Sequence, residues 1–174
     1  MLLRLLFMRK KRFFFLFVIV CLIMQLSVRA QFTDNFSDGN FTNSPAWAGN
    51  TADWTVNPSL PLLRNNTVVN GTFYLSTAST LATTAQWEFY CQITFNPSSA
   101  NYIDVYLTAS ASDITLNNTT GYFIRIGNTS DEISLYRKDA SGTSTILING
   151  VDGILNTSSN VMKIKVIRDA SYQW

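Results

Sequence analysis

One stretch restricts the fold more than any other. In "WEFYCQITF", Trp87, Phe89, Cys91, Ile93 and Phe95 alternate with Glu88, Tyr90, Gln92 and Thr94. Successive side chains of an extended backbone leave it on opposite sides, so a period of two over this length describes a strand with one dry face and one wet face. "YIDVYLTA" repeats the pattern, with Ile103, Val105, Leu107 and Ala109 opposite Tyr102, Asp104, Tyr106 and Thr108. Between the two lies "NPSSAN" (Asn96 to Asn101), a cluster of turn formers. The pair is therefore expected to fold as an antiparallel hairpin.

A second hairpin is expected from "GYFIRIG" and "EISLYRKD" around "NTSD". Here Tyr122, Ile124 and Ile126 share one face, and Ile133 and Leu135 share one face of the partner. Further strands are expected at Ile146 to Ile148 and in "NVMKIKVIRD", where Met162, Ile164 and Val166 alternate with Lys163 and Lys165. Weaker signals lie at Phe32 to Phe36, Trp54 to Val56, Leu60 to Leu63 and Phe73 to Ser76, and Asn70-Gly71 is a candidate tight turn. Nothing longer than a turn reads as helix after residue 30. Many short strands separated by turns indicate an all-β fold, an antiparallel β-sandwich or jelly roll. "RDASYQW" reads as a strand end, a turn and the first residue of another strand. An unpaired final strand would be an open apolar edge, so the domain is expected to lack its last strand or strands and to continue into downstream domains of the same chain.

The first thirty residues have a different character. Arg4 and the run Arg9-Lys10-Lys11-Arg12 precede "FFFLFVIVCLIMQL", and "SVRA" follows with small residues at Val28 and Ala30. This is the pattern of a hydrophobic signal helix cut after Ala30. The apolar run is short against the ~20 residues of a membrane span, so a cleaved leader is expected in preference to a retained anchor, with any membrane contact confined to that segment. Ile19 and Val20 are too bulky for a lipoprotein signal before Cys21. The chain carries 13 Lys+Arg and 11 Asp+Glu, but six of the cations stand in the leader, so residues 31–174 keep seven cations against eleven acids, a net charge of −4. A mildly acidic domain without a basic run has no footprint for nucleic acid.

Residues 31–174 are numerous enough for a single domain with a proper core. They contain one cysteine, Cys91, so no internal disulfide can form and burial must hold the domain together. Its place on the apolar stripe suits a small buried residue better than a reactive thiol.

In sequence order, "FTDNFSDGNFT", "PAWAGNTADWTVN", "YLSTAST", "WEFYCQITFNPSSANYIDVYL", "GYFIRIG" and "EISLYRKD" resemble the N-terminal region of large exported Bacteroidetes surface proteins that carry a lamin-tail domain further on. That region is similar to a concanavalin A-like lectin/glucanase sandwich. The resemblance covers most of residues 31–174 and implies a jelly roll and an exported location more than any activity.

Candidate sites follow from these readings. Asp34-Asn35-Phe36-Ser37-Asp38-Gly39 hints at a calcium loop, but from Asp34 the third position is Phe36 and the twelfth is Pro45, which excludes an EF-hand. A strand and turn fit the stretch better. Because jelly-roll lectin folds sometimes carry a structural Ca2+, Asp34 and Asp38 are the candidate ligands, and no other cofactor is expected. Sandwich glucanases work with Glu-x-Asp-x-x-Glu on one strand. This domain has only Glu88 and Glu132 as glutamates, and Glu88 is followed by Phe89, Tyr90, Cys91 and Gln92. With no histidine either, Ser-His and Cys-His catalysis are excluded, and no catalytic residue is assigned. Polysaccharide or cell-surface glycan remains as a partner. Tyr90, Tyr102, Asp104, Tyr106, Arg125 and Tyr136 form the candidate binding set on the wet side, although tyrosines there are also simply good strand formers. The sequence thus leads to a non-catalytic exported module for glycan binding, adhesion or spacing, the alternative being a sandwich-fold glycoside hydrolase or an accessory domain of one. The eight Asn-x-Ser/Thr sites, at Asn35, Asn40, Asn65, Asn70, Asn117, Asn118, Asn128 and Asn156, follow from an Asn/Ser/Thr-rich composition.

Overall fold

A computed structural model describes residues 33–57, 59–81 and 83–174. The signal segment expected at residues 1–30 lies outside them. Every strand pair is antiparallel, and no α-helix occurs among the described residues. None of the described helices is long and apolar enough to cross a membrane.

Four short strands come first: β1 (Ala48–Gly49), β2 (Trp54–Val56), β3 (Leu63–Asn65) and β4 (Leu75–Ser76). They pair as β1 with β4 and β2 with β3. The longer strands are β5 (Ala85–Ile93), β6 (Tyr102–Ala109), β7 (Gly121–Gly127), β8 (Glu132–Lys138), β9 (Ser144–Ile148) and β10 (Asn160–Arg168). β6, β7, β8 and β9 form a four-stranded sheet in that order, and β5 pairs with β10.

The two ladders enclose the core. Ile93 on β5 joins Leu107, Ile124, Ile126 and Leu135 of the four-stranded sheet, with Leu155 from the β9–β10 connection. Trp87, Phe89, Cys91 and Phe95, and across the ladder Met162, Ile164 and Val166, pack onto this cluster. The stripe that opened the sequence reading thus faces inward, and two antiparallel layers share one apolar interior as a β-sandwich requires.

One expectation is corrected. β5 and β6 are not a hairpin: β5 runs antiparallel to β10, from Ala85 against Arg168 to Ile93 against Asn160. The connection carries the chain from one layer to the other. It buries Pro97 against Gly127, whose φ of +101° and close approach to the proline ring leave no room for a Cβ. Alternation reports which face of a strand is dry. It does not report the partner, and both strands turn an apolar face to the same core from opposite sheets.

The second hairpin forms as expected, with Ile124 opposite Leu135 and Ile126 opposite Ile133. Its turn is closed by Asp131 N–H donating to the Asn128 carbonyl at 3.2 Å, with both residues at positive φ. Two bulges bend the sheet. One leaves Leu107 unpaired between Tyr106 and Thr108 and seats it in the core, and the other falls where β9 meets Leu135 and Tyr136.

The front of the domain departs from expectation. Residues 33–36 are not a strand, because Asp34 Oδ1 accepts the Phe36 N–H at 2.8 Å and turns the chain there. The Leu60–Leu63 signal becomes Leu63–Asn65, and Phe73–Ser76 shrinks to Leu75–Ser76. At the other end, "DASYQW" makes the expected turn, with Tyr172 N–H bonded to the Asp169 carbonyl, and Trp174 stacks on Trp87 with ring centroids 5.8 Å apart.

Candidate functional site: the outward face of the four-stranded sheet

Residues that alternate with the core set on β6, β7 and β8 converge on the opposite face of the sheet. The register sets Asp104 across from Arg125, Tyr106 across from Phe123, and Phe123 across from Tyr136. Opposite charges placed directly across a ladder are within reach of one another. Arg125 Nε donates to Asp104 Oδ1 and Nη2 donates to Oδ2, each at 2.8 Å, a bidentate pair. Its side chains are only 18% and 22% exposed.

An aromatic row lies beside the pair. Tyr106 stacks on Phe123 with centroids 4.9 Å apart, and Phe123 stacks on Tyr136 at 5.2 Å. The Arg125 guanidinium sits 4.2 Å from the Tyr102 ring centre, 5.1 Å from that of Tyr136 and 5.3 Å from that of Phe123. It thus shares its charge with three ring faces as well as with a carboxylate. Phe123 and Tyr136 are buried, whereas Tyr102 is 39% exposed and forms the open lip of the face.

The titration of these groups reflects this setting. Burial pushes the Tyr106 hydroxyl up to about 12, helped by the Asp104 charge and opposed by Arg125. Burial also raises Tyr136, with Arg125 pulling it down and Glu132 pushing it up. For Arg125, burial works against the charge, but the bonds and the charge of Asp104 outweigh it and hold the guanidinium above its ordinary value.

Five of the six residues expected to bind ligand therefore stand together: Tyr102, Asp104, Tyr106, Arg125 and Tyr136. Tyr136 is buried, not on a wet surface, because it closes the aromatic row. Tyr90 belongs elsewhere. It lies on the outer face of the β5–β10 layer, across from Lys163, beside the Glu88 carboxylate that pairs with Lys163 at 3.2 Å. Cys91 is half-buried on the inner face of that layer, and burial pushes its thiol up to about 11, which leaves little thiolate at neutral pH.

Phe123, Glu132 and Ser134 share the site face and were not among the expected residues. Their signal was parity: once Ile124, Ile126, Ile133 and Leu135 face the core, the residues between them face the other way.

Asp34 and Asp38 are held by turn hydrogen bonds. Asp34 Oδ2 accepts the Trp47 indole N–H at 2.8 Å while Oδ1 holds Phe36 N–H, and Asp38 Oδ1 accepts Asn40 N–H at 3.1 Å. Both line an open depression with Thr33, Asn35, Ser37 and Ser44. Among the described residues no three His, Cys, Asp or Glu side chains gather as a metal site would require.

Comparison of the chain with family models, with curated proteins and with solved structures finds no match.

Proposed function

We propose that the protein is an exported, non-catalytic module of concanavalin A-like jelly-roll type that binds glycan on the outward face of its four-stranded sheet. The observation that carries this reading is the Arg125–Asp104 pair laid against the rings of Tyr102, Phe123 and Tyr136. Sugar rings present apolar C–H faces and a rim of hydroxyls, so they suit a flat aromatic surface flanked by fixed donors and acceptors. Here Tyr102 offers the exposed ring, and the ion pair supplies rigid polar groups.

Two arguments favour binding over hydrolysis. Glycoside hydrolysis needs two carboxyl groups free to act about the scissile bond. On this face Asp104 has both oxygens engaged by Arg125, which leaves Glu132 without a second available carboxylate. Export is supported by the leader pattern of residues 1–30, and the acidic balance of residues 31–174 speaks against nucleic acid as a partner.

The test is a glycan array probed with the purified protein and with Tyr102→Ala. The variant removes an exposed ring, so the fold should survive. Retention on at least one polysaccharide, lost in Tyr102→Ala, is the expected result. A blank across the whole array would favour a purely structural, spacing role.

A further inference from the structure

Four places among the described residues join an Asn or Asp to a following glycine: Asp38-Gly39, Asn70-Gly71, Asn149-Gly150 and Asp152-Gly153. In such a pair the glycine backbone nitrogen can attack the side-chain carbonyl carbon, because no Cβ shields it. Three of the four nitrogens are occupied. Gly39 N–H donates to the Phe36 carbonyl at 3.1 Å, Gly153 N–H to the Ser130 carbonyl at 2.8 Å, and Gly150 N–H to Ser134 Oγ at 2.8 Å. Gly150 is also pressed onto β8, where a Cβ would collide with the Ile133 carbonyl. Gly71 differs. Among the described residues neither its N–H nor the Asn70 side chain has a hydrogen-bond partner, and the same holds for the N–H groups of Asn70, Thr72 and Phe73. Asn70 and Gly71 are exposed in the β3–β4 connection, next to Val69 at 62% and Val68 at 99% exposed.

We propose that Asn70 is a site of spontaneous covalent modification, the one such pair among the described residues that the fold leaves open to ring closure. Gly71 N bonds to Asn70 Cγ, the side-chain nitrogen leaves as ammonia, and a five-membered succinimide forms. Water then adds to either ring carbonyl and opens it to aspartate or isoaspartate. In balance, an amide and water give a carboxylate and ammonium, with no oxidant and no enzyme. Ring closure requires the backbone at Asn70 to rotate until Gly71 N meets Cγ. A segment without backbone hydrogen bonds reaches that geometry by local motion, whereas Asn149 must first break the Gly150 contacts. Local chemistry does not separate the two asparagines. Val69 and Thr72 flank one pair, Ile148 and Val151 the other, and all four are β-branched. Tertiary structure therefore sets which one ages. The product adds a negative charge to an already acidic domain, and the inference stands apart from glycan binding.

The test follows the purified protein by peptide mapping and mass spectrometry during incubation in mildly alkaline buffer. Because Asn70 heads an Asn-x-Thr site, the protein is produced without N-glycosylation, which would occupy the leaving nitrogen. In the native protein Asn70 is expected to convert about tenfold or more faster than Asn149. In urea the two should convert at matching rates, since their flanks are alike. Asn70→Gln, a change at an exposed loop position, should keep the native protein from accumulating acidic species on isoelectric focusing. Equal conversion of Asn70 and Asn149 in the native protein overturns the proposal, as does an Asn70 that stays intact. An Asn149 that remains slow in urea overturns the structural cause and leaves local sequence to set the rates. Acidic species forming in Asn70→Gln at the wild-type rate would place the modification elsewhere and overturn the assignment.

Discussion

Asp104 and Arg125 face each other across the β6–β7 ladder, and the carboxylate receives the guanidinium through two parallel bonds of 2.8 Å. Both side chains are largely out of water, so their attraction is weakly screened, and each would be costly alone. The pair also fixes the guanidinium over the Tyr102 ring, so one contact serves both stability and the shape of the face.

Removing one partner should therefore hurt more than removing both. Asp104→Asn leaves the guanidinium half-satisfied and should cost about 2–3 kcal/mol. Replacing the pair together by Leu and Met should cost less than the single change. Urea unfolding of the two singles and the double provides the coupling energy. Additive losses would show that the two residues act independently.

Asp34 is expected to act as a clamp on Trp47. Asp34→Ala deletes the acceptor of the indole N–H and of the Phe36 N–H, which should cost about 1–3 kcal/mol and shift Trp47 emission towards that of solvated tryptophan. Calcium should leave the wild-type melting temperature unchanged. A rise in that temperature with added Ca2+, abolished in Asp34→Ala, would instead establish a metal role.

Alkaline pH should destabilise the domain. Tyr106 rises from 10.0 to about 12 and Cys91 from 9.0 to about 11, in each case chiefly because burial disfavours the charged form. A group whose folded pKa is raised contributes stability below its unfolded pKa and loses it as pH climbs through the folded value. The Cys91 contribution should fade between pH 9 and about 11, and that of Tyr106 between pH 10 and about 12. Unfolding midpoints measured across this range should fall, and Cys91→Ala should remove the earlier part of the decline. Alkylation of native Cys91 at pH 8 should be slow, and fast in urea.

Much of this architecture was legible from side-chain alternation. Trp87 to Phe95 and Tyr102 to Ala109 declared their dry faces, and the β7–β8 hairpin was readable because its turn is short. The partner of β5 was not, since Lys163 and Lys165 in β10 bear no local mark of pairing with Tyr90 and Glu88. The front of the domain was misread around Phe36, where a side chain thirteen residues from Trp47 decides the path of the backbone. Within the site, Tyr102, Asp104, Tyr106 and Arg125 could be grouped by parity. The isolation of Tyr90 depends on which sheet its strand joins, and no single segment encodes that.

The closure of β5 by β10 also sets a timetable. Gly121–Gly127 and Glu132–Lys138 can zip across a short turn, but Ala85 must wait for Arg168, and bringing distant segments together is the slow, entropically costly part of folding. Until then Trp87, Phe89 and Ile93 have no strand alongside them, which makes this segment the point of greatest exposure for a nascent chain. Pulse-labelled amide exchange during refolding should find β7 and β8 protected before β5 and β10. The opposite order would mean that early collapse, rather than loop length, governs assembly.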